Sequence, residues 1–580
     1  MRSSLPRNDE LAAAFELLAD LMELDGADRF RLAAYRRAAE RIRGCATPVA
    51  QLALAGKATR LDGIGATIEA KIIEFVQTGD LAALKKIRDR VPLSLVEVMR
   101  VPGLGPKRAH QLWRSLGVTS IEELRRAAQA HELQQLPGLG ARSEAKILAA
   151  LARPDPHVEA RGTLLGRALP LVTDLVHELE CHPASDRVSE AGSVRRRCET
   201  VRDVDVIATS ANPRALVDHL VDLPWVAEVT ARGDTKASVM SEDGLPVDLR
   251  VVPPENYGNL LQHFTGSKEH NVALREEAVR SGLSVSEWGV QVVDTGETAA
   301  METEEELYEH LGYAWIPPEL RENMGELEAA RSGELPPLVT PDDLRGDLHL
   351  HSDWSDGRTT IEQMALAAKA RGLRYIAVCD HARRLRGGRI DEQAAALAEL
   401  DGRISGLRVL SGVEVDIRAD GSLDLADADV EARDWVVASV HSGFGDGHDR
   451  LTRRILAAID HPAVDCIGHL TGRKLGRRAS YALDLDVIFE RAAATGTCLE
   501  INGQPDRLDL RDVSARAAAA AGVSILVSSD AHSVGGLAYS DFAVSQARRA
   551  WLAPANVINT LPWQEVQALR PRHRRPFHAS

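Results

Sequence analysis

The chain is predicted to be multidomain, with a helical N-terminal region, a mixed α+β middle and a C-terminal parallel (β/α) barrel of seven strands. Three observations lead there. Its 580 residues exceed what one core can hold, because domains run to roughly 100–200 residues. Three segments of the form h-x-G-h-G, LDGIGATIEAKI, VPGLGPKRAHQL and LPGLGARSEAKI, stand in the N-terminal region, and each opens a helical pattern. From residue 345 onward seven short apolar runs, DLHL, YIAVC, LSGVEV, WVVASV, VDCIGHL, CLEI and SILVSS, alternate with helical stretches such as IEQMALAAKARG. That alternation is the pattern of βα units closing on a parallel sheet.

Composition narrows the class. Hydrophobic residues at 44% and charged residues at 27% are ordinary for a globular protein. Aromatics at 4% leave base stacking a minor role in any nucleic-acid contact. The six cysteines are scattered without a CxxC pair, which argues against a disulfide framework or a thiolate zinc site and fits a reducing cytoplasm. No apolar run reaches the length of about 18 residues that a membrane span needs, so a cytoplasmic location and no membrane partner are expected. The net charge of -15 is unevenly spread. Residues 1–160 hold 24 Lys+Arg against 20 Asp+Glu, and the remainder 46 against 65, so the acidity belongs to the later domains.

In the N-terminal repeats, Gly63 and Gly65, Gly103 and Gly105, and Gly138 and Gly140 permit tight turns that expose backbone N–H groups at the start of the next helix. They resemble helix-hairpin-helix elements, which hold phosphate backbone without reading base sequence. Such binding weakens as salt rises.

In the middle region the stretch GSVRRRCETVRDVDV runs into an apolar strand. Asp203 and Asp205 lie two apart, so strand periodicity sends both carboxylates to one face while Val204 and Val206 enter the core. Asp248 in PVDLRVV alternates in the same way and completes a triad from a neighbouring strand. Three such groups can hold two divalent ions about 3.5–4 Å apart, the spacing used for in-line phosphoryl displacement. Upstream, Gly192 and Ser193 offer close backbone approach and a hydroxyl, and Arg196 a planar donor, to a triphosphate.

GS-x-RR, then D-x-D, VDLR and HFTGSKEHNVALR, resemble in order and spacing the palm and thumb of the family X DNA polymerases, the group that includes DNA polymerase beta. The resemblance implies that Asp203, Asp205 and Asp248 bind two Mg²⁺ or Mn²⁺ ions. It implies that Gly192, Ser193 and Arg196 contact the incoming deoxynucleoside triphosphate. Phe264, Thr265 and Gly266 would line the sugar and base pocket, with Asn271 and Arg275 near the nascent base pair. Lys71 in IEAKI matches the family's Schiff-base lysine and Tyr35 in AAYRRAAERI its helper tyrosine, which together imply a deoxyribose-phosphate lyase. Three positions depart from the family: Arg197 and Arg202 stand where glycine is usual, and His263 where tyrosine is usual.

The last region places nine His, Asp and Glu residues at predicted strand ends: His349, His351, Asp356, His381, Glu414, His441, His469, Asp530 and His532. In a parallel barrel those ends converge on the active face, and an N/O donor set suits Mn²⁺, Zn²⁺ or Fe²⁺. The region resembles the PHP (polymerase and histidinol phosphatase) family. By that resemblance up to three ions are implied: one on His349, His351, Glu414 and Asp530, a second on Glu414, His441 and His469, and a third on Asp356, His381 and His532.

The resemblances together imply a bacterial-type family X polymerase carrying a PHP barrel, acting on gapped or nicked DNA in repair and expected to be a monomer. The boundaries that follow are 1–90 for a lyase-like helical domain, 91–158 for helix-hairpin-helix fingers, 159–252 for a nucleotidyltransferase palm, 253–322 for the thumb, 323–344 for a linker leaving the domains free of one another, and 345–580 for the PHP domain. The C-terminal RPRHRR is read as a solvated basic end. One alternative reading is a DNA-end-processing nuclease with a weak or inactive palm, motivated by Arg202 and His263; another, which the three hairpins speak against, is a structural palm with the barrel acting on a small phosphomonoester.

Overall fold

The structure is a computed structural model that describes residues 5–6, 8–43, 45, 49–61, 63–99, 101, 104–151 and 162–571. It forms two compact units, residues 1–161 and 162–580. Among the described residues no helix is long and apolar enough to cross a membrane.

Among the described residues the first unit is helical. Its helices include Asn8–Leu24, Arg29–Arg43, Ala66–Thr78, Gly105–Leu116, Ile121–Gln129 and Ala141–Leu151. One apolar core runs through them from Leu11 to Leu151, so the described residues on either side of position 90 pack as one body. The GxG segments turn into helices as expected. Gly63, Gly105 and Gly138 take φ of +77°, +57° and +81°, the left-handed region glycine tolerates. A Cβ added at Gly65, Gly105, Gly138 or Gly140 would meet nothing within 4 Å, so these turns are open to an approaching backbone. Gly103 lies outside the described residues.

The second unit begins with a five-stranded sheet ordered Ser185–Glu190, Val204–Ser210, Pro246–Val252, Lys236–Ser241, Val226–Arg232. Only Val204–Ser210 and Pro246–Val252 run parallel, and their register sets Asp205 opposite Asp248. Leu165, Ala168, Val172, Leu175 and Leu179 form one stripe of the helix Leu165–Glu180 and pack with Val204, Val206 and Ala208 on one face of the sheet. The helix Tyr257–Thr265 covers Ile207 on the other.

The C-terminal sheet has seven strands in chain order, from Gly346–Leu350 to Ile525–Ser528, and every pair is parallel. A bridge between Leu350 and Ala531 brings the first and last strands together, giving a nearly closed barrel. Its strands are buried on both faces, which explains their near-continuous apolar runs.

Residues 323–344 are not a free connector. They contain the helix Glu326–Ser332, whose Leu327 and Ala330 join a cluster with Leu274, Tyr308 and Ile316, while Val339 enters the barrel core. The proline-rich and acidic composition concealed these few apolar anchors. Of the basic end RPRHRR, residues 572–575 lie outside the described residues, and Arg570 is not solvated. It is 4% exposed and pairs through two nitrogens with the buried Asp465, so the basic end is anchored at its first residue.

Candidate active sites

The first centre lies at the start of the strand Val204–Ser210. Asp203 is exposed and Asp205 half-buried beside Asp248. Burial, with the charges of Asp203 and Asp248, pushes the Asp205 carboxyl up to about 7. Three acids this close, opposed nearby by the exposed Arg250, suit divalent cations. Gly192, at φ +63°, brings the backbone so near that a Cβ there would stand 3.0 Å from Asp205 Oδ2. Glycine is therefore required at that point.

The arginine run divides three ways. Arg195 makes a fork with Glu304, at 2.9 and 2.8 Å, and donates to the Thr265 hydroxyl at 2.7 Å. Glu304 is also paired with the fully buried Arg321 and, although burial opposes it, these guanidiniums hold its carboxyl down to about 2. Arg196 donates to Glu322 at 3.0 Å and to the Thr265 carbonyl. Arg197 takes φ +56°, which accounts for glycine being usual there. Its guanidinium holds the strained turn by donating to the Val194 carbonyl and to Glu190. Arg202 is exposed.

The helix Tyr257–Thr265 and its successor Lys268–Arg280 assemble the remaining residues. Thr265 is buried, and Gly266 sits at φ +68° with Arg196 Nη1 3.2 Å from where a Cβ would be. Phe264 stacks under the Arg250 guanidinium. Asn271 donates to the His263 carbonyl and accepts from Gln262. Arg275 Nη2 lies 2.7 Å from His263 Nδ1, and burial together with this cation lowers the imidazole pKa. His263 thus makes a polar contact with Arg275.

The second centre gathers all nine predicted barrel residues around Glu414. This carboxylate is 1% exposed and lies 3.7, 3.6, 2.9, 3.4 and 3.3 Å from His349, His351, His381, His441 and His469 respectively. Asp530 approaches His351 at 3.2 Å, while Asp356 meets His381 at 3.4 Å and His532 at 3.5 Å. Ligand atoms fall within 4.8 Å of one another in three sets: His349, His351 and Asp530; His381, Glu414 and His441; and His351, Asp356, His381 and His532. His349 Nε2, both nitrogens of His351 and Glu414 Oε1 are buried without a hydrogen-bond partner. Orphaned N and O donors converging in this way fit divalent cations. Although burial opposes it, the Glu414 and Asp356 carboxylates hold the His381 imidazole up at about 10.

Residues behind the ligands escaped the sequence reading. Buried Glu500 accepts from His349 Nδ1 at 2.6 Å, and Asp416 pairs with His441 Nδ1 at 2.6 Å. Both stand on barrel strands, in CLEIN and GVEVD, so the strand-end rule that found Glu414 could have found them had it been applied to every acid on those strands. Beside the centre is a pocket of about 550 Å³ lined by Arg358, Lys474 and Arg507 together with Asp356 and His532. In the first unit, Lys71 lines a surface groove with Ala66, Thr67 and Glu74, whereas Tyr35 is 5% exposed and packs in the core near Phe15.

Comparison with known proteins follows this division. Residues 6–81 match a helix-hairpin-helix domain, 95–153 a SAM-like helix-hairpin-helix tandem, 260–322 a DNA polymerase beta thumb and 347–504 a PHP domain. Over 572 residues, 97% of this chain and 99% of the relative, the sequence is 36% identical to the DNA polymerase/3'-5' exonuclease PolX of Bacillus subtilis (strain 168). A stretch of 223 residues, 37% of this chain and 90% of the relative, is 30% identical to a probable phosphatase of Syntrophotalea carbinolica. A probable phosphatase of Thermoanaerobacter sp. (strain X514) is 31% identical over 225 residues, 37% of this chain and 89% of the relative. With likeness spanning nearly both full lengths and the matched domains in the same chain, this protein belongs to the PolX family, the family X DNA polymerases that carry a PHP domain.

Proposed function

We propose that the chain fills short gaps in DNA during repair by nucleotidyl transfer at the aspartate centre, and that the barrel hydrolyses phosphoesters at DNA 3' ends or abasic sites. The observation that carries the first half is the parallel register pairing Asp205 with Asp248 beside Asp203. Divalent Mg²⁺ or Mn²⁺ ions bound there supply Lewis-acid stabilisation to the entering and leaving oxygens of a phosphoryl transfer. The three carboxylates hold them. Ser193 offers its hydroxyl and Arg196 its guanidinium to the triphosphate, while Phe264, Thr265 and Gly266 shape the place of the sugar and base. Asn271 and Arg275 face the nascent pair. Among substrates, gapped or nicked DNA and deoxynucleoside triphosphates fit this reading, with the glycine turns of the first unit taking the phosphate backbone.

In the barrel His349, His351, Glu414 and Asp530 are assigned to one ion, Glu414, His441 and His469 to a second, and Asp356, His381 and His532 to a third. Glu414 serves two of them from the middle of the cluster. Arg358, Lys474 and Arg507 present positive charge to the phosphodiester beside it. Lys71 is assigned as the amine of a deoxyribose-phosphate lyase. Buried Tyr35 would then act on the local packing.

The test uses one-nucleotide-gapped DNA with Mg²⁺ or Mn²⁺. The Asp203→Ala/Asp205→Ala double variant is expected to lose primer extension and keep degradation, and His349→Ala the reverse. Extension at the wild-type rate by the double aspartate variant overturns the polymerase assignment. Degradation unchanged in His349→Ala overturns the barrel assignment.

A further inference from the structure

The turn that joins Arg196 to the carboxylate strand is gripped, residue by residue, from the barrel. On the helix Ser540–Arg549, Arg549 Nη1 donates to the Arg196 carbonyl at 2.8 Å and Gln546 Nε2 to the Arg197 carbonyl at 3.4 Å. Arg549 also lies 3.6 Å from Cys198 Sγ. From a different barrel segment, Arg473 pairs with Glu199. The Arg196 side chain is caught in the same net. Glu322 Oε1 accepts from Arg196 Nε at 3.0 Å and from Arg549 Nη1 at 2.9 Å, and Asp512 fixes Arg549 from behind at 2.8 Å. Arg549 and Arg196 are only 10% and 13% exposed, so these contacts are shielded from solvent.

We infer that Arg549 and Glu322, with Arg473 in support, are positioning residues of the nucleotidyl-transfer site: the phosphoesterase barrel is part of the frame that aims Arg196 at the triphosphate. The inference rests on the reading of Arg196 as a triphosphate contact. An arginine has many rotamers, and one already held by an acceptor on each side is ordered before the ligand arrives, which lowers the cost of binding. The strained Arg197 supplies a second reason, because a left-handed non-glycine residue persists only where its surroundings over-determine it. The same barrel segment faces the other centre. Lys474, next to Arg473, lines the pocket beside the barrel cluster, and so does Pro505, whose Cβ would be 2.3 Å from a Cβ placed on Gly166.

The experiment compares wild type, Arg549→Ala, Arg549→Lys, Glu322→Gln and the Arg549→Ala/Glu322→Gln pair, all in the full chain. Steady-state insertion into one-nucleotide-gapped DNA is read separately for the nucleotide and for the DNA, alongside hydrolysis of bis(p-nitrophenyl) phosphate and a thermal melt. Arg549→Ala is expected to raise the KM for the nucleotide about tenfold, in the middle of what one ion-pair network couples. The KM for DNA and the barrel hydrolysis stay at wild-type values. Arg549→Lys recovers only part of the loss, since an ammonium cannot serve Arg196, Glu322 and Asp512 together. The pair costs about what either single change costs, because both cut one network. Should Arg549→Ala melt early, the nearly isosteric Glu322→Gln decides. Nucleotide KM within about twofold of wild type in a folded Glu322→Gln, in a protein that does extend primers, overturns the inference alone. A wild type that extends no primer overturns the polymerase reading and the inference with it.

Discussion

Neutralising Asp205 should make the metal-free protein more stable while abolishing primer extension. Its carboxyl titrates at about 7 against an ordinary value of 3.8, because burial and the charges of Asp203 and Asp248 oppose ionisation. The folded state therefore holds this proton more tightly than the unfolded chain does. The resulting penalty is absent below pH of about 4, grows between about 4 and 7, and reaches about 4 kcal/mol above that. Asn keeps the shape without the charge. Asp205→Asn in chelator should then exceed wild type by about 4 kcal/mol at pH 8 and by under about 2 kcal/mol at pH 5. Tryptophan fluorescence in urea reads the right unit, since all the tryptophans except Trp113 lie beyond residue 162. Chelator removes metal from both proteins alike, so the difference isolates the aspartate. Adding Mg²⁺ should narrow the gap by stabilising wild type alone. A variant less stable than wild type at pH 8, or a gap that fails to widen with pH, refutes the picture of a crowded carboxylate cluster awaiting cations.

Three further expectations concern other residues. Glu304→Gln strips Arg195 and the buried Arg321 of their shared anion and should cost about 3–5 kcal/mol in the same urea assay. In wild type the Glu304 contribution, about 3 kcal/mol, is present above pH of about 4.5 and lost as pH falls toward about 2; a variant whose deficit persists unchanged at low pH contradicts this. Glu500→Gln loosens the tautomer of His349 and should reduce Mn²⁺ affinity about 10–100-fold by equilibrium dialysis, and unaltered affinity removes Glu500 as a supporting residue. Borohydride trapping on a pre-incised abasic substrate should vanish in Lys71→Ala; equal trapping excludes that amine as the nucleophile.

What could be read before folding was whatever depends on short-range periodicity. Spacing brought the charges of Asp203 and Asp248 to bear on Asp205, glycine pairs marked the helix starts, and the seven apolar runs became seven parallel strands. The strand-end rule located nine barrel residues because a parallel barrel brings all its C-terminal ends to one side. It passed over Glu500 and Asp416, which touch ligand histidines rather than the cluster centre.

The rest depended on contacts between residues far apart in the chain, where composition carries no signal. Nothing in METEEELYEH separates Glu304 from its solvated acidic neighbours, yet folding buries it between Arg195 and Arg321. Arg197 became intelligible only through its φ, and Arg202 only through its exposure. The sequence alone determined which chemistry the two centres carry, since residue type and local spacing set the donors. Only the tertiary structure decided that residues 323–344 pack instead of swinging free, and that Arg549 and Glu322 tie the barrel to Arg196. Burial is what turns those scattered charges into partners, because shielding from water makes each pairing selective.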